Sequence, residues 1–285
     1  MISIAAIIAQ APVGMKQLRA APGRRRWTAM AWRAVAALAL AMPAAAAGRD
    51  DGQNEANDPL TPKTGFQVHD YVQPVMSGRP EEGAHQLYLR HVMPHDTLGI
   101  DQIARVSVPL IANSWGPHGA WNGIGDVTIY DMVVAYLGNT KLGAGPLVVA
   151  PTASAPALGS GKWQGGAQTV VSARHDWGLT ALLSAYQHAF DGSLQTLTFQ
   201  PLLFYNLDDG YYLRSTGIST FNLGLNSVLP VGLGLGRVFQ RSDGRVVNVF
   251  VEPQYSVLQT GPGVPSFQVF AGVVLQFPVR RQASR

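Results

Sequence analysis

Glu252 stands in the middle of the stretch V-V-N-V-F-V-E-P-Q-Y-S-V, Val246 to Val257. A carboxylate among valines could act as a general acid, as half of an ion pair, or as part of a wet interior. The other side chains able to do chemistry are scattered. Cysteine is absent, which excludes thiolate nucleophiles, thiolate metal sites and disulfides. The histidines are His69, His85, His91, His95, His118, His175 and His188. His91 and His95 have the spacing of a helical metal pair, but Pro94 and the extended surroundings argue against a helix, and H-E-x-x-H is missing. His175-Asp176 falls in a turn-like stretch, where a solvated polar pair is ordinary. Gly159-Ser160-Gly161-Lys162 has Pro156 where a phosphate loop needs glycine, and Trp163 where it needs Ser or Thr. No Ser/His pair shows an orienting third group. The chain is therefore expected to be no enzyme and to hold no metal and no cofactor.

The elements that must position Glu252 are strands. Val247, Val249, Val251, Pro253, Tyr255 and Val257 share one face of an extended chain; Asn248, Phe250, Glu252, Gln254 and Ser256 share the other. Eleven further alternating segments lead up to it or follow it, giving twelve in all: 64–76, 84–94, 102–113, 123–137, 141–152, 162–174, 176–189, 194–206, 210–222, 226–239, 245–258 and 266–277. Segment 176–189 also fits a helical period. The short turns, such as Gly138-Asn139-Thr140 and Asp208-Asp209-Gly210, largely interleave with longer Gly- and Pro-rich ones, such as Ala153–Gly161. That is the rhythm of an up-and-down barrel.

Composition decides which side of the wall is wet. Only 13% of residues are charged, about half the share usual in soluble domains. The polar face carries Gln, Thr, Asn, Ser and Gly rather than the Lys and Glu of a soluble sandwich or lipocalin-like barrel. Segments of about 10 residues suit a bilayer crossing. The expected fold is all-β: a single antiparallel up-and-down transmembrane β-barrel of about 12 strands over residues 64–277, preceded by a cleaved signal peptide. Basic residues from Lys16 to Arg33, the apolar run Ala34–Met42 and Ala44–Ala47 mark that signal as residues 1–47, with Met15 as an alternative start. Residues 48–63 are expected to be a flexible leader and 278–285 a short tail. Six of the 21 basic residues lie in the signal, leaving 15 against 17 acidic ones. The basic balance belongs to the signal, and no nucleic-acid partner is expected.

Several motifs resemble the MetA-pathway of phenol degradation family, Gram-negative outer-membrane barrels often labelled neuromedin-like in bacteria. They are G-I-G-D-V-T-I-Y-D-M-V-V-A-Y-L-G (Gly123–Gly138), V-V-A-P-T-A (Val148–Ala153), F-Q-P-L-L-F-Y-N-L-D-D-G-Y-Y-L-R-S (Phe199–Ser215), V-L-P-V-G-L-G-L-G-R-V-F (Val228–Phe239) and V-N-V-F-V-E-P-Q-Y (Val247–Tyr255). The chain departs from the family in having P-T-A-S where P-T-G and an aromatic residue are expected, and in continuing beyond Phe277. The resemblance implies an outer-membrane channel or transporter, with aromatic compounds among the solutes of some members.

A charge facing lipid near the midplane costs about 2–4 kcal/mol, so the charged and polar faces should line the lumen. The lumen-facing candidates are Arg105, Gln200, Arg214, Asn248, Glu252, Gln254 and Gln268, with Arg214 or Arg105 as the partner of Glu252. Pro253, with no ladder donor and no free edge to occupy, should mark a bulge or a break. The aromatic residues, Tyr88, Tyr130, Tyr205, Tyr212, Trp115, Trp121, Trp163 and Trp177 among them, are grouped as an interfacial girdle in preference to a stacking path. The expected function is passive passage of small hydrophobic or aromatic solutes across the outer membrane. The partners are the lipid bilayer, the barrel-assembly machinery through the last strand, and the small-molecule solute. The rivals are a closed structural barrel without transport and a barrel hydrolase.

Overall fold

In a computed structural model of the chain, residues 51–117 and 119–279 are described; the segment expected to be a signal peptide and all but the start of the expected tail lie outside them. A short helix, α1 (Asp51–Asn57), precedes fifteen strands. These are β1 (Lys63–Met76), β2 (Gly83–Thr97), β3 (Ile100–Gly116), β4 (Gly119–Gly123), β5 (Val127–Leu137), β6 (Thr140–Ala150), β7 (Gln164–His175), β8 (Gly178–Ala189), β9 (Gln195–Asn206), β10 (Tyr211–Ser215), β11 (Ser219–Asn222), β12 (Asn226–Gly232), β13 (Gly234–Gln240), β14 (Val246–Thr260) and β15 (Pro265–Pro278). Every pairing is antiparallel, and β1 closes on β15 from Lys63↔Pro278 onward. The result is a closed barrel of 12 staves. Segment 176–189 is strand β8, in unbroken register with β7 and β9.

Three staves are made of two strands each, and proline accounts for two of the splits. β10 and β11 hold one common register against β9 but leave Thr216, Gly217 and Ile218 unpaired, and Gly217 falls opposite Pro201. After a bulge between Leu229 and Pro230, β12 and β13 likewise hold one register against β14 from Pro230↔Ser256 to Gln240↔Val246, with Leu233 left opposite Pro253. A proline has no N–H to give the ladder, so the neighbouring stave lifts away there. On its other side Pro253 stays in register with Val269. The third split sets β4, which pairs only with the end of β3, apart from β5.

Alternation decides the faces. On β14, Val251, Tyr255 and Val257 are exposed, whereas Asn248, Phe250, Glu252, Gln254 and Ser256 are buried in the barrel. The exterior is apolar around the wall, with Phe66, Leu110, Ile129, Val171, Leu182, Leu203 and Leu235 all exposed. Such a surface suits lipid. Two carboxylates depart from this pattern. Asp70 and Asp131 point outward, each beside a histidine: His85 Nε2 lies 2.5 Å from Asp70 Oδ1 and His95 Nε2 lies 3.1 Å from Asp131 Oδ1.

The leader departs from expectation as well. Residues 51–62 are ordered: α1 and the turn after it enter the mouth where the turns Leu98-Gly99, Gly138-Asn139 and Asp176-Trp177 are short. Asn54, Ala56, Asp58 and Leu60 are buried there. Composition misleads at this point, because polar residues hold the segment where an apolar stripe was the signal sought.

Candidate functional site

The site is the barrel interior, and the gap in the wall explains its central ion pair. Thr216 has left the ladder, yet its backbone groups are satisfied from inside. Its N–H donates to Glu252 Oε1 at 2.7 Å and its carbonyl accepts from Gln200 Nε2 at 3.0 Å. Glu252 is fully buried and accepts three further bonds, from Arg214 Nε (2.8 Å), Thr216 Oγ1 (2.6 Å) and Gln254 Nε2 (2.8 Å). Of the two arginines considered as its partner, Arg214 holds the place. Buried backbone polar groups are rarely left unpaired, and here a carboxylate and an amide take the role of the missing strand neighbour.

Arg214 on β10 reaches Glu252 on β14 across the intervening β13 because β13 carries glycine there. A Cβ added at Gly234 would lie 2.6 Å from Glu252 Cβ and 2.5 Å from the Val251 carbonyl oxygen. One added at Gly236 would lie 2.2 Å from Tyr212 Cζ. The alternating glycines are thus a trough in which Glu252 and Tyr212 lie flat.

The other amides of the interior bond mainly to one another. Gln73 Nε2 donates to Gln268 Oε1 at 2.7 Å, Gln268 Nε2 to Gln254 Oε1 at 2.5 Å, and Gln254 continues to Glu252. Asn248 accepts from Tyr212 Oη at 2.6 Å and donates to Asn57 Oδ1 at 2.9 Å, joining the wall to the leader. Six of the seven candidates, all but Arg105, are therefore hydrogen-bonded to protein groups.

Arg105 sits in a different cluster with two residues that sequence reasoning missed, Arg90 and His69. Arg105 lies over Tyr130 (4.4 Å from guanidinium carbon to ring centre) and Arg90 over Tyr88 (4.9 Å). Arg214 caps Phe250 at 3.5 Å. Rings continue the layer, with Tyr71 stacked on Phe270 at 4.3 Å and Phe270 edge-on to Phe250 at 4.8 Å. Tyr88, Tyr130 and Tyr212 are thus buried inside the barrel and do not belong to a girdle. The lipid penalty that directed Arg105 inward applies equally to Arg90. Its face had been obscured by His85 and His91, polar residues that point outward with Leu87 and Leu89.

The leader closes the short-turn mouth through polar contacts from many staves. Asp58, fully buried, accepts from Lys141 Nζ (2.7 Å), Ser172 Oγ (2.9 Å) and the Leu60 N–H (2.9 Å), with Arg174 Nη2 at 3.7 Å. Gln53 donates to the Leu207 and Tyr211 carbonyls, Asn54 to that of His175, and Gln276 to that of Ala56. Between this plug and the arginine layer lies a cavity of about 120 Å³.

No protein-family model and no curated protein matches the sequence. Solved structures do match. The COG4313 outer membrane channel from Pseudomonas putida F1 superposes over 81% of this chain and 100% of its own, with a TM-score of 0.60 at 14% identity. The fold is that of an outer-membrane β-barrel. The KdgM porin in complex with disordered oligogalacturonate matches more loosely, with a TM-score of 0.45 at 12% identity over 75% of this chain and 99% of its own.

In an outer-membrane barrel the remaining aromatic residues have a place. Trp115, Trp121 and Trp163 are exposed toward the long-loop end, and Tyr136, Trp177 and Tyr205 toward the short-turn end, the two rims where amphipathic rings settle. The histidines are dispersed among the wall and the interior: His91 stacks on Phe66 at 4.3 Å, and His175 accompanies Thr180 at 2.9 Å. Among the described residues no group of three or more His, Asp or Glu could hold a metal ion.

Proposed function

We propose that the protein is an outer-membrane channel for passive passage of small hydrophobic or aromatic solutes, with its short-turn mouth and both chain ends on the periplasmic side. The observation that carries this reading is the character of the plug. Residues 51–62 close the mouth without contributing a strand, and their buried anchor is one carboxylate, Asp58, held by side chains of β6 and β7. A segment held in this way can leave while every stave stays paired. Above it, Arg105, Gln200, Arg214, Asn248, Glu252, Gln254 and Gln268 face the lumen through which a solute passes, together with the aromatic layer. Assembly into the bilayer is assigned to recognition of β15, whose terminal aromatic, Phe277, pairs with Thr64 at the seam.

The test is conductance in planar bilayers and solute uptake by proteoliposomes carrying lipopolysaccharide, comparing the full chain with one lacking residues 51–62. The channel reading expects low, intermittent conductance from the full chain and a larger steady one from the shortened chain, with faster uptake of a neutral aromatic probe such as p-cresol. Failure of both chains to conduct or to admit any small solute favours a closed structural barrel. Ester hydrolysis removed by a single Ser→Ala or His→Ala change would favour the hydrolase.

A further inference from the structure

The interior cavity has an imbalance that the wall does not resolve. Arg90 and Arg105 are buried, at 2% and 8% exposure, and neither has a carboxylate within salt-bridge distance among the described residues. The nearby Glu252 is already shared between Arg214, Thr216 and Gln254. Nε and Nη2 of Arg90 and Nε of Arg105 find no hydrogen-bond partner. Nη1 of Arg90 lies 2.6 Å from His69 Nδ1. A guanidinium can only donate, so Nδ1 accepts, and the neutral ring then carries its proton on Nε2. That nitrogen is also buried and unpartnered.

Four orphaned groups in three adjacent residues are thus all donors, two of the residues are cationic, and all three line the one cavity. Leaving such groups unpaired costs more than leaving neutral ones, and a pair of guanidinium groups suits a carboxylate. The rest of the cavity's lining mixes apolar side chains, Leu183, Leu202, Phe250 and Val274, with Gln200 and Asn248. Its volume of about 120 Å³ is near the roughly 150 Å³ of an engineered cavity that accepts benzene.

We infer that this cavity is a binding site for a small carboxylic acid with an apolar body of about one ring, its carboxylate held by Arg90 and Arg105 and assisted by His69. The inference deepens the channel reading and rests on it for the route by which the acid arrives; binding itself is measured independently of passage. The site makes the solute class a weak organic acid in its anionic form, where the channel reading alone gives only an apolar or aromatic solute.

The test is calorimetric titration of the folded full chain in detergent with benzoate, using benzamide as the neutral isostere and acetate as the anion without a ring. Benzoate should saturate one site. Benzamide and acetate should each bind at least about tenfold more weakly, the loss of one charge-assisted bond or of the buried ring. Arg105→Met and Arg90→Met should weaken benzoate at least about tenfold, and Arg105→Lys, which keeps the charge, should retain part of the affinity. Heat-modifiable migration on gels checks that each variant is a folded barrel, and should a Met variant fail this check, Arg105→Lys still reports on the guanidinium. Absence of saturable benzoate heat, equal binding of benzamide, or unchanged affinity in the folded variants would overturn the site, the orphaned donors then being hydrated only. Benzoate binding without flux would instead sink the channel reading and leave the site standing.

Discussion

Asp58→Ala is the substitution that separates a removable plug from a permanent one. In the folded chain Asp58 is fully buried and accepts from Lys141 Nζ, Ser172 Oγ and the Leu60 N–H at 2.7–2.9 Å. The Leu60 bond is internal to the leader and travels with it, so it does not enter the comparison. The Lys141 bond is charge-assisted, worth about 1.5–3 kcal/mol, and the Ser172 bond to a carboxylate is of the same class. Lys141 and Arg174 regain water once the leader leaves, so the lower ends apply, and the anchor contributes about 3 kcal/mol. At about 1.4 kcal/mol per decade, removing it shifts the closed-to-open equilibrium by roughly a hundredfold. Single-channel recording should then show the open dwell fraction rise by that order, and limited proteolysis should cut residues 51–62 correspondingly faster. Asp58→Asn should fall between, since it keeps acceptors but loses the charge. Unchanged gating and unchanged cleavage in Asp58→Ala would refute the argument, because the remaining amide contacts of Gln53, Asn54 and Gln276 would then hold the leader without the carboxylate.

Glu252→Gln places an amide NH₂ against donors that the carboxylate accepts, so the unfolding free energy in urea, measured on liposome-folded protein, should fall by about 3–5 kcal/mol. Adding Arg214→Met should recover part of that loss, since no buried charge is left unpaired. Gly234→Val should cost about 1–3 kcal/mol or more, because its Cβ meets the Val251 carbonyl and Glu252 Cβ; wild-type stability would refute the trough. In the loops, Lys162 holds the Asp191 carboxyl well below the usual carboxylate range, with Ser193 assisting. A depressed folded-state pKa stabilises at pH above the ordinary value of about 4 and the effect is lost as pH falls through the depressed one. An NMR titration should therefore find Asp191 still ionised near pH 3, and Lys162→Ala should move its transition upward.

Strand alternation was readable because period 2 is imposed by geometry on every residue of a stave, and a closed barrel has no edge at which the rule lapses. The outward Val251 and Tyr255 and the inward Asn248, Glu252 and Gln254 of β14 followed from it directly. Pro253 could be located as a disturbance, but the form of that disturbance lay in the neighbouring stave, where Leu233 loses its partner. No local pattern carries such a relation between Pro253 and a residue about twenty positions away. The leader was misread for a related reason. Its hold on the barrel is a set of single polar contacts to residues as distant as Gln276, and Asn and Gln in a short segment look the same whether they bond to water or to strand carbonyls. Arg90 was readable in principle, since the penalty for a charge in lipid applies to it as it does to Arg105.

The division of labour inside the barrel bears on which residues meet a solute. Pro201 and Pro253 each split the stave beside them, and Glu252 and Gln200 close the larger gap by bonding the freed backbone of Thr216. A carboxylate with four donors already in place has little capacity for a passing solute, and moving it would expose both Arg214 and an unpaired peptide group. Arg90, Arg105 and His69 stand on the opposite side of that balance, with donors to spare and no structural debt. Substitutions at Glu252 should therefore act mainly on folding, and substitutions at Arg90 and Arg105 mainly on solute affinity. A variant series in which Glu252→Gln changes selectivity with unaltered stability, while Arg105→Met unfolds the barrel, would invert this assignment and with it the view that the wall repair and the solute site are separate devices.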